Sequence, residues 1–306
     1  MSDTSTSPAP LSADQLFRFG GIARLYGLSG LTRFTHSHVA VIGIGGVGAW
    51  TAEALARSGI GQITLFDLDD LCTSNINRQL HALDTTIGQP KAEVMAERLR
   101  AINPDIQAHA RCEFVTLDKL AAQLKPDGQA LFDVVIDATD TVPVKAGLIA
   151  WCRRNKQKLV VVGGAGGQID PRLIDTADLA RTTQDPLLAK VRNLLRREYG
   201  FSRNPKRRFD IECVYSTEQL VYPQANGEVA CHKPAAGEAL KLDCSSGFGS
   251  ATFVTGTFGF VAAQRALAHL IKGVSSREPR EPLINVTSTG QDSIRSRRIA
   301  ALPTSM

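Results

Sequence analysis

Gly43-x-Gly45-x-x-Gly48 is the first stretch in which residue type and spacing could do chemistry. Glycines at these intervals let a turn approach an anion closely. A helix opening directly behind them offers free amides and its dipole to phosphates. The pattern follows the apolar run Val39-Ala40-Val41-Ile42, and Asp67 ends the next such run, where a carboxylate can accept ribose hydroxyls. A dinucleotide would satisfy this much. Arg78 and Lys91 argue for a different ligand, because together they can neutralise a triphosphate, which a nicotinamide dinucleotide lacks. Asp140, in Asp137-Ala138-Thr139-Asp140, follows a further apolar run, where a carboxylate can hold a magnesium ion beside phosphates. Each residue alone reads as a surface charge. At strand ends on one side of a parallel sheet they make a site.

The elements that must position these groups follow from periodicity. Short β-branched runs over 39–42, 63–66, 134–136 and 159–162 predict strands buried on both faces. Between them, helices are expected over 49–58, 91–102, 118–124 and 144–155, with a strand edge over 106–115. A further helix over 16–34 precedes them, interrupted by glycines. Repeated βα alternation implies a doubly wound, Rossmann-like, mostly parallel α/β sheet. From about residue 168 the texture changes to loops, a basic helix over 187–199 and a glycine-rich apolar helix over 253–271. The expected organisation is a disordered tail over 1–15, a nucleotide-binding core over 16–167, a C-terminal α+β extension over 168–275 and a tail over 276–306.

With 306 residues, 43% hydrophobic and 21% charged, the chain falls among globular proteins that need no staples. Its six cysteines, Cys72, Cys112, Cys152, Cys213, Cys231 and Cys244, form no C-x-x-C pair, which disfavours structural zinc. Without a secretory signal they read as reduced thiols of a cytoplasmic protein. Residues 247–263 carry no charge, but the run is short and broken by Gly249, Gly256 and Gly259. It reads as a buried helix closing the core, with peripheral membrane contact as the other reading. The net charge of +5 says little by itself. Its distribution says more: Lys190, Arg192, Arg196, Arg197, Arg203, Lys206, Arg207 and Arg208 face a single acid, Glu198. Such a run attracts a polyphosphate partner, or is simply a solvated helix face and loop.

Gly43-x-Gly45-Gly46-x-Gly48, Asp67-x-Asp69, Asn75-x-Asn77-Arg78-Gln79, Gly88-Gln89-Pro90-Lys91 and Asp137-Ala138-Thr139-Asp140 resemble, in order, the ubiquitin-activating-type adenylation domain. Further segments narrow the resemblance to the tRNA threonylcarbamoyladenosine dehydratase family. They are Arg18-Phe19-Gly20-Gly21 with Arg24-Leu25-Tyr26-Gly27, Gly163 to Asp170, Gln184-Asp185-Pro186-Leu187, Cys213 to Glu218, and Asp243 to Gly249. The resemblance spans nearly everything from residue 16 to residue 270.

It implies an ATP-dependent enzyme that adenylates the threonine carboxylate of a modified tRNA adenosine and lets the modification close into a ring. The implied roles are phosphate cradling by Gly43, Gly45, Gly46 and Gly48, and ribose and nucleotide contacts from Asp67 and Asp69. Arg78 and Lys91 would stabilise charge at the α-phosphate, Asn75 and Gln79 would orient oxygens, and Asp140 would hold magnesium. Many relatives receive an arginine from a partner subunit; Gly21 stands at that place here, so Arg18 and Arg24 are the substitutes considered. Cys231, beside His232 and Lys233, is considered catalytic because sulfur-handling relatives use a cysteine, although an ordinary loop cysteine reads as well. The family also implies a homodimer and a link to cysteine-desulfurase or sulfur-acceptor partners. The basic run is the expected tRNA contact, joined by Lys233 and Lys241. A monovalent cation is left open. Two other readings stand beside this one: adenylation of the C-terminus of a ubiquitin-like sulfur carrier, and an NAD-binding or nucleotide-sensing protein.

Overall fold

The computed structural model describes residues 10–224, 226–232, 248–272 and 274. Lys233, Lys241, Cys244, residues 243–247 of their motif and the tail expected over 276–306 lie outside the described residues. In chain order the elements are α1 (Ala13–Thr35), β1 (His38–Ile42), α2 (Gly48–Arg57), β2 (Gln62–Phe66), α3 (Lys91–Ile102), β3 (Gln107–Arg111), α4 (Leu120–Leu124) and β4 (Val134–Asp137). They continue with α5 (Val142–Arg154), β5 (Leu159–Val162), β6 (Ile174–Asp178), α6 (Pro186–Glu198), β7 (Glu212–Ser216), the short strands β8 (Tyr222–Pro223) and β9 (Val229–Ala230), and α7 (Thr252–Ile271).

The first helix begins inside the segment expected to be a tail. Ser12 accepts from the Gln15 amide, and the Gln15 side chain accepts from the Ser12 amide, a reciprocal cap that fixes its start. The glycine interruption foreseen in this helix is real: Gly27 sits at φ 78, ψ 166 and kinks it.

Seven strands form one sheet in the order β3-β2-β1-β4-β5-β7-β6, parallel except for edge strand β6, which runs antiparallel to β7. The strand order reverses between β1 and β4, opening a crevice above their carboxyl ends. Side chains alternate faithfully across the sheet. Val39, Val41, Val134, Ile136, Val160 and Val162 pack with α2, α3 and α7 on one face. Ala40, Ile42, Val135 and Val161 pack with α4, α5 and α6 on the other. Each fully buried aliphatic side chain contributes roughly 1.5–3 kcal/mol, so strands buried on both faces anchor the site rigidly.

Two strands of this sheet went unforeseen, as did the short β8 and β9. β7 pairs parallel with β5, and β6 pairs with β7, so the sheet runs on past residue 167 instead of ending there. The strand expected over 106–115 is shorter, Gln107–Arg111, because this edge position alternates exposed and buried.

Helix α7 is buried along one side, through Val254, Phe258, Ala262, Ala266 and Leu270. Gly259 is where it meets α2: a Cβ there would lie 2.7 Å from Trp50 Cβ and 2.8 Å from the Val47 carbonyl. No described helix is long and apolar enough to cross a membrane.

The far end of α7 is tied to β7 by charge. Arg265 Nη2 lies 2.6 Å from Glu212 Oε1, and His269 Nε2 lies 2.9 Å from Glu212 Oε2. The His269 hydrogen bond and the Arg265 guanidinium hold the Glu212 carboxyl down at about 2, against an ordinary 4.5. A carboxyl depressed in the fold stabilises above its unfolded pKa and loses that contribution as pH falls through its folded one. Wild type should therefore melt higher than Glu212→Gln at pH above about 4.5, with the gap closing as pH approaches 2. A gap that persists to the acid limit would show that packing, not this carboxylate, carries the effect.

Candidate active site

Gly43 leaves β1 in the left-handed region at φ 87, and any Cβ on it would stand 2.9 Å from the Ala138 carbonyl. Gly48 opens α2 so tightly that a Cβ would lie 1.8 Å from the Gly43 carbonyl oxygen. Only glycine fits at these two positions. Among the described residues, the amides of Gly45, Gly46 and Val47 donate to no backbone carbonyl. They form a free concave set of donors at a helix start, an arrangement suited to phosphates.

Asp67 closes the floor. Its Oδ2 accepts from the Ile44 amide at 2.6 Å and its Oδ1 from the Asp69 amide at 2.9 Å. Burial pushes this carboxyl above its ordinary value, while the two amides and the Lys91 charge work against that. The side chain thus ties β2 to the glycine turn, and its remaining lone pairs are the ones available to a ribose.

The segment after β2 folds back over the turn. Asn75 is buried and accepts from the Cys72 amide at 3.1 Å, and its carbonyl accepts from the amides of Arg78 and Gln79. Arg78 lays its stem against Gly46, its Cγ 3.3 Å from where a Cβ would stand. Its Nη1 donates to the Ser74 carbonyl at 2.7 Å and to Asn77 Oδ1 at 2.9 Å. Gln79 is buried beside Gly45, and its Oε1 has no partner among the described residues. Lys91 begins α3, its amide on the Asp69 carbonyl and its Nζ 2.9 Å from Asp69 Oδ2. The Asp69 side chain is 56% exposed, so the pair is a resting contact that a phosphate oxygen can replace.

Asp140 stands past β4 on the other side of the crevice, exposed, and its one side-chain partner among the described residues is Thr141 Oγ1 at 3.5 Å. Among the described residues no three His, Cys, Asp or Glu gather as a metal cage. An exposed carboxylate just past β4, whose preceding residues Ala138 and Thr139 abut Gly43, fits magnesium, which takes one or two carboxylates and completes its shell with phosphate oxygens and water.

Sequence reading missed the groups that hold this arrangement together. Asp137 and Lys145 form an ion pair at 3.0 Å with both side chains fully buried. A lone lysine inside the apolar helix α5 was the available signal. The start of α7 also anchors the Arg78 segment: Thr255 Oγ1 and Trp50 Nε1 donate to the Arg78 carbonyl, and Thr252 Oγ1 donates to that of Asn77.

Other expected residues lie elsewhere. Arg18 pairs with Asp14 at 3.2 Å and reaches the Ile102 carbonyl, at the end of α3 opposite Lys91. Arg24 is exposed on α1. Within one chain Arg18 is therefore not gathered into the crevice. Cys231 is exposed and lines a separate cleft of about 330 Å³ with Asp185, Arg192 and Tyr222, which contains neither the glycine turn nor Lys91.

The basic run divides in two. Lys190, Arg197, Arg203, Lys206, Arg207 and Arg208 are exposed. Arg192 instead braces its own surroundings, with Nη1 on the carbonyls of Leu179 and Thr182 and on Thr182 Oγ1. Arg196 donates to the Ser202 carbonyl and stacks its guanidinium 5.5 Å above Phe209.

Comparison with known proteins gives the family. The ThiF family model matches residues 21–304. The tRNA threonylcarbamoyladenosine dehydratase of Escherichia coli is 54% identical over 254 residues, covering 83% of this chain and 93% of that protein. The Haemophilus influenzae protein of the same name is 50% identical, covering 83% and 94%. A solved Escherichia coli tRNA N6-threonylcarbamoyladenosine dehydratase in complex with ATP superposes with a TM-score of 0.77 at 48% identity, covering 88% of this chain and all of that one. The chain belongs to the ThiF family, in the branch of the tRNA threonylcarbamoyladenosine dehydratases.

Proposed function

We propose that this chain uses ATP to dehydrate threonylcarbamoyladenosine in tRNA to its cyclic form. The observation that carries the reading is the convergence, at one topological switch point, of the glycine turn, Asp67, the Arg78 segment and Lys91, with Asp140 just past the neighbouring strand β4. An oxygen of the threonine carboxylate attacks the α-phosphorus of ATP and expels pyrophosphate. The carbamoyl nitrogen then attacks the acyl carbon and expels AMP, which carries away the carboxylate oxygen, while the nitrogen's proton passes to solvent. The elements of one water thus leave the base.

Such chemistry asks the protein for positioning and charge neutralisation. The free amides of Gly45, Gly46 and Val47 cradle phosphates and Asp67 holds the ribose. Lys91 exchanges Asp69 for an α-phosphate oxygen, Arg78 turns from its own loop to the same group, and Asn75 and Gln79 orient the neighbouring oxygens. Asp140 would hold magnesium, which would supply further neutralisation. Ring closure needs no thiol, and Cys231 is given no step. The reading places the enzyme in the cytoplasm with its tRNA and includes a homodimer.

Mass spectrometry of nucleosides from treated tRNA tests it. Loss of one water from threonylcarbamoyladenosine, only with ATP present, is expected; an unchanged nucleoside would remove the reading. Adenylation of a carrier ending in Gly-Gly would select the sulfur-carrier alternative.

The exposed cations are the proposed tRNA contact. Replacing Arg203, Lys206 and Arg207 together by alanine should weaken tRNA binding and lower its salt slope by about 0.7–0.9 for each phosphate no longer neutralised. Arg192→Ala should instead lower the melting temperature and leave that slope alone. Equal slopes for the triple variant and wild type would move the tRNA to another face.

A further inference from the structure

The crevice is set from below by a fully buried charge pair, Asp137 and Lys145. Asp137 ends β4 and is fully buried. Three donors meet its Oδ1: the Thr139 amide at 3.0 Å, the Thr139 hydroxyl at 2.7 Å and Lys145 Nζ at 3.0 Å. Lys145 Nζ also reaches the Asp137 carbonyl at 3.2 Å, so one ammonium grips both ends of the residue. Asp137 Oδ2 is buried with no partner among the described residues.

Stability does not account for such a pair. A buried ion pair gains little or nothing over well-packed apolar residues, because desolvation offsets its attraction. The bare Oδ2 adds to that cost. What the pair does fix is a shape. The bonds from Thr139 hold the turn Ala138–Thr139–Asp140 against the end of β4. The same turn abuts the glycine cradle: a Cβ on Gly43 would meet the Ala138 carbonyl at 2.9 Å and the Thr139 amide at 3.2 Å, and the Ala138 amide is bonded to the Ile42 carbonyl. Shifting the turn therefore moves Asp140 relative to the phosphate cradle.

We infer that Asp137 and Lys145, acting through Thr139, are positioning residues that set where the Asp140 carboxylate stands against the phosphates of the bound nucleotide. The inference rests on the reading of Asp140 as the magnesium-holding acid. It separates two properties of the site. The glycine amides bind phosphates without the turn, whereas the magnesium-dependent part of binding needs it.

Calorimetric titration of ATP into the full-length protein, in EDTA and at graded magnesium, reads both. Thr139→Val removes one bond to Asp137 without burying a charge. Asp137→Asn with Lys145→Met removes both charges at nearly constant shape. Both variants are expected to bind ATP in EDTA as wild type does, and to need about tenfold more magnesium for half-saturation, with Thr139→Ser restoring it. If the double variant does not fold, Thr139→Val decides. Unchanged half-saturation in a folded variant, alongside a raised value in Asp140→Asn, would overturn the positioning role and leave Asp140 in place. No change in Asp140→Asn would remove the magnesium reading, and the positioning role with it.

Discussion

Lys91→Ala should lower turnover on the order of 100-fold or more while the protein melts close to wild type. The first half follows from what Lys91 offers. Its ammonium sits at the start of α3, beside Asp69 and within the field of Asp67, in a largely buried position where water screens it little. Charge developing at an α-phosphate in that environment would lose a fixed cation that water replaces poorly. The second half follows from its partner. Asp69 is more than half exposed, so its pair with the lysine contributes about 0–1 kcal/mol, and the buried Asp67 keeps its two backbone donors, the amides of Ile44 and Asp69, when the lysine is gone. Arg78→Ala should behave alike, since the Arg78 carbonyl stays held by Trp50 and Thr255 when its guanidinium is gone. Pyrophosphate release and thermal melting, measured together, give the answer. Folded variants of both residues with near-normal turnover would refute the assignment.

Gly48→Ala should be the more damaging change. A methyl 1.8 Å from the Gly43 carbonyl cannot be absorbed locally, because Gly43 is itself pinned by its amide on the Phe66 carbonyl and by Ala138. The turn must shift, at a cost of about 1–3 kcal/mol in stability. Misplacing the phosphate cradle by about 1 Å can cost on the order of 100-fold in rate. Gly45→Ala is the informative contrast. The nearest atom to its added Cβ is Gln79 Nε2 at 3.9 Å, so the free protein accommodates it. An unchanged melting temperature with weakened ATP binding in Gly45→Ala would mean that the methyl meets the ligand. Unchanged binding there, with loss only in Gly48→Ala, would mean that the cradle lies elsewhere.

How far the sequence carries depends on how local each determinant is. The strand at Leu159–Val162 and the helix at Lys91–Ile102 were readable to the residue, since each is a short uniform pattern bounded by glycine, proline or asparagine. The glycine turn, Asp67 and Lys91 were readable as a chain-ordered motif for the same reason, the first two at the ends of readable strands and the third at the start of a readable helix. β6 and β7 were not. Ile174–Asp178 alternates weakly, as an edge strand does, and Glu212–Ser216 is a short run whose pairing with β5 joins residues far apart in sequence. The fate of the basic run was equally invisible. Arg192 and Arg197 share one helix and one charge, yet tertiary packing aims the first at the carbonyls of Leu179 and Thr182 and leaves the second in solvent. The same holds for Asp137 and Lys145, which look like one acid in a motif and one stray cation until β4 and α5 are packed together.

Pyrophosphate release from ATP, compared with tRNA bearing threonylcarbamoyladenosine and with the same tRNA lacking it, tests the central claim most directly. The account predicts release of one pyrophosphate for each modified base converted, none with the unmodified tRNA, and loss of the signal in Lys91→Ala. Release that ignores the modification, or none with either tRNA, would contradict it.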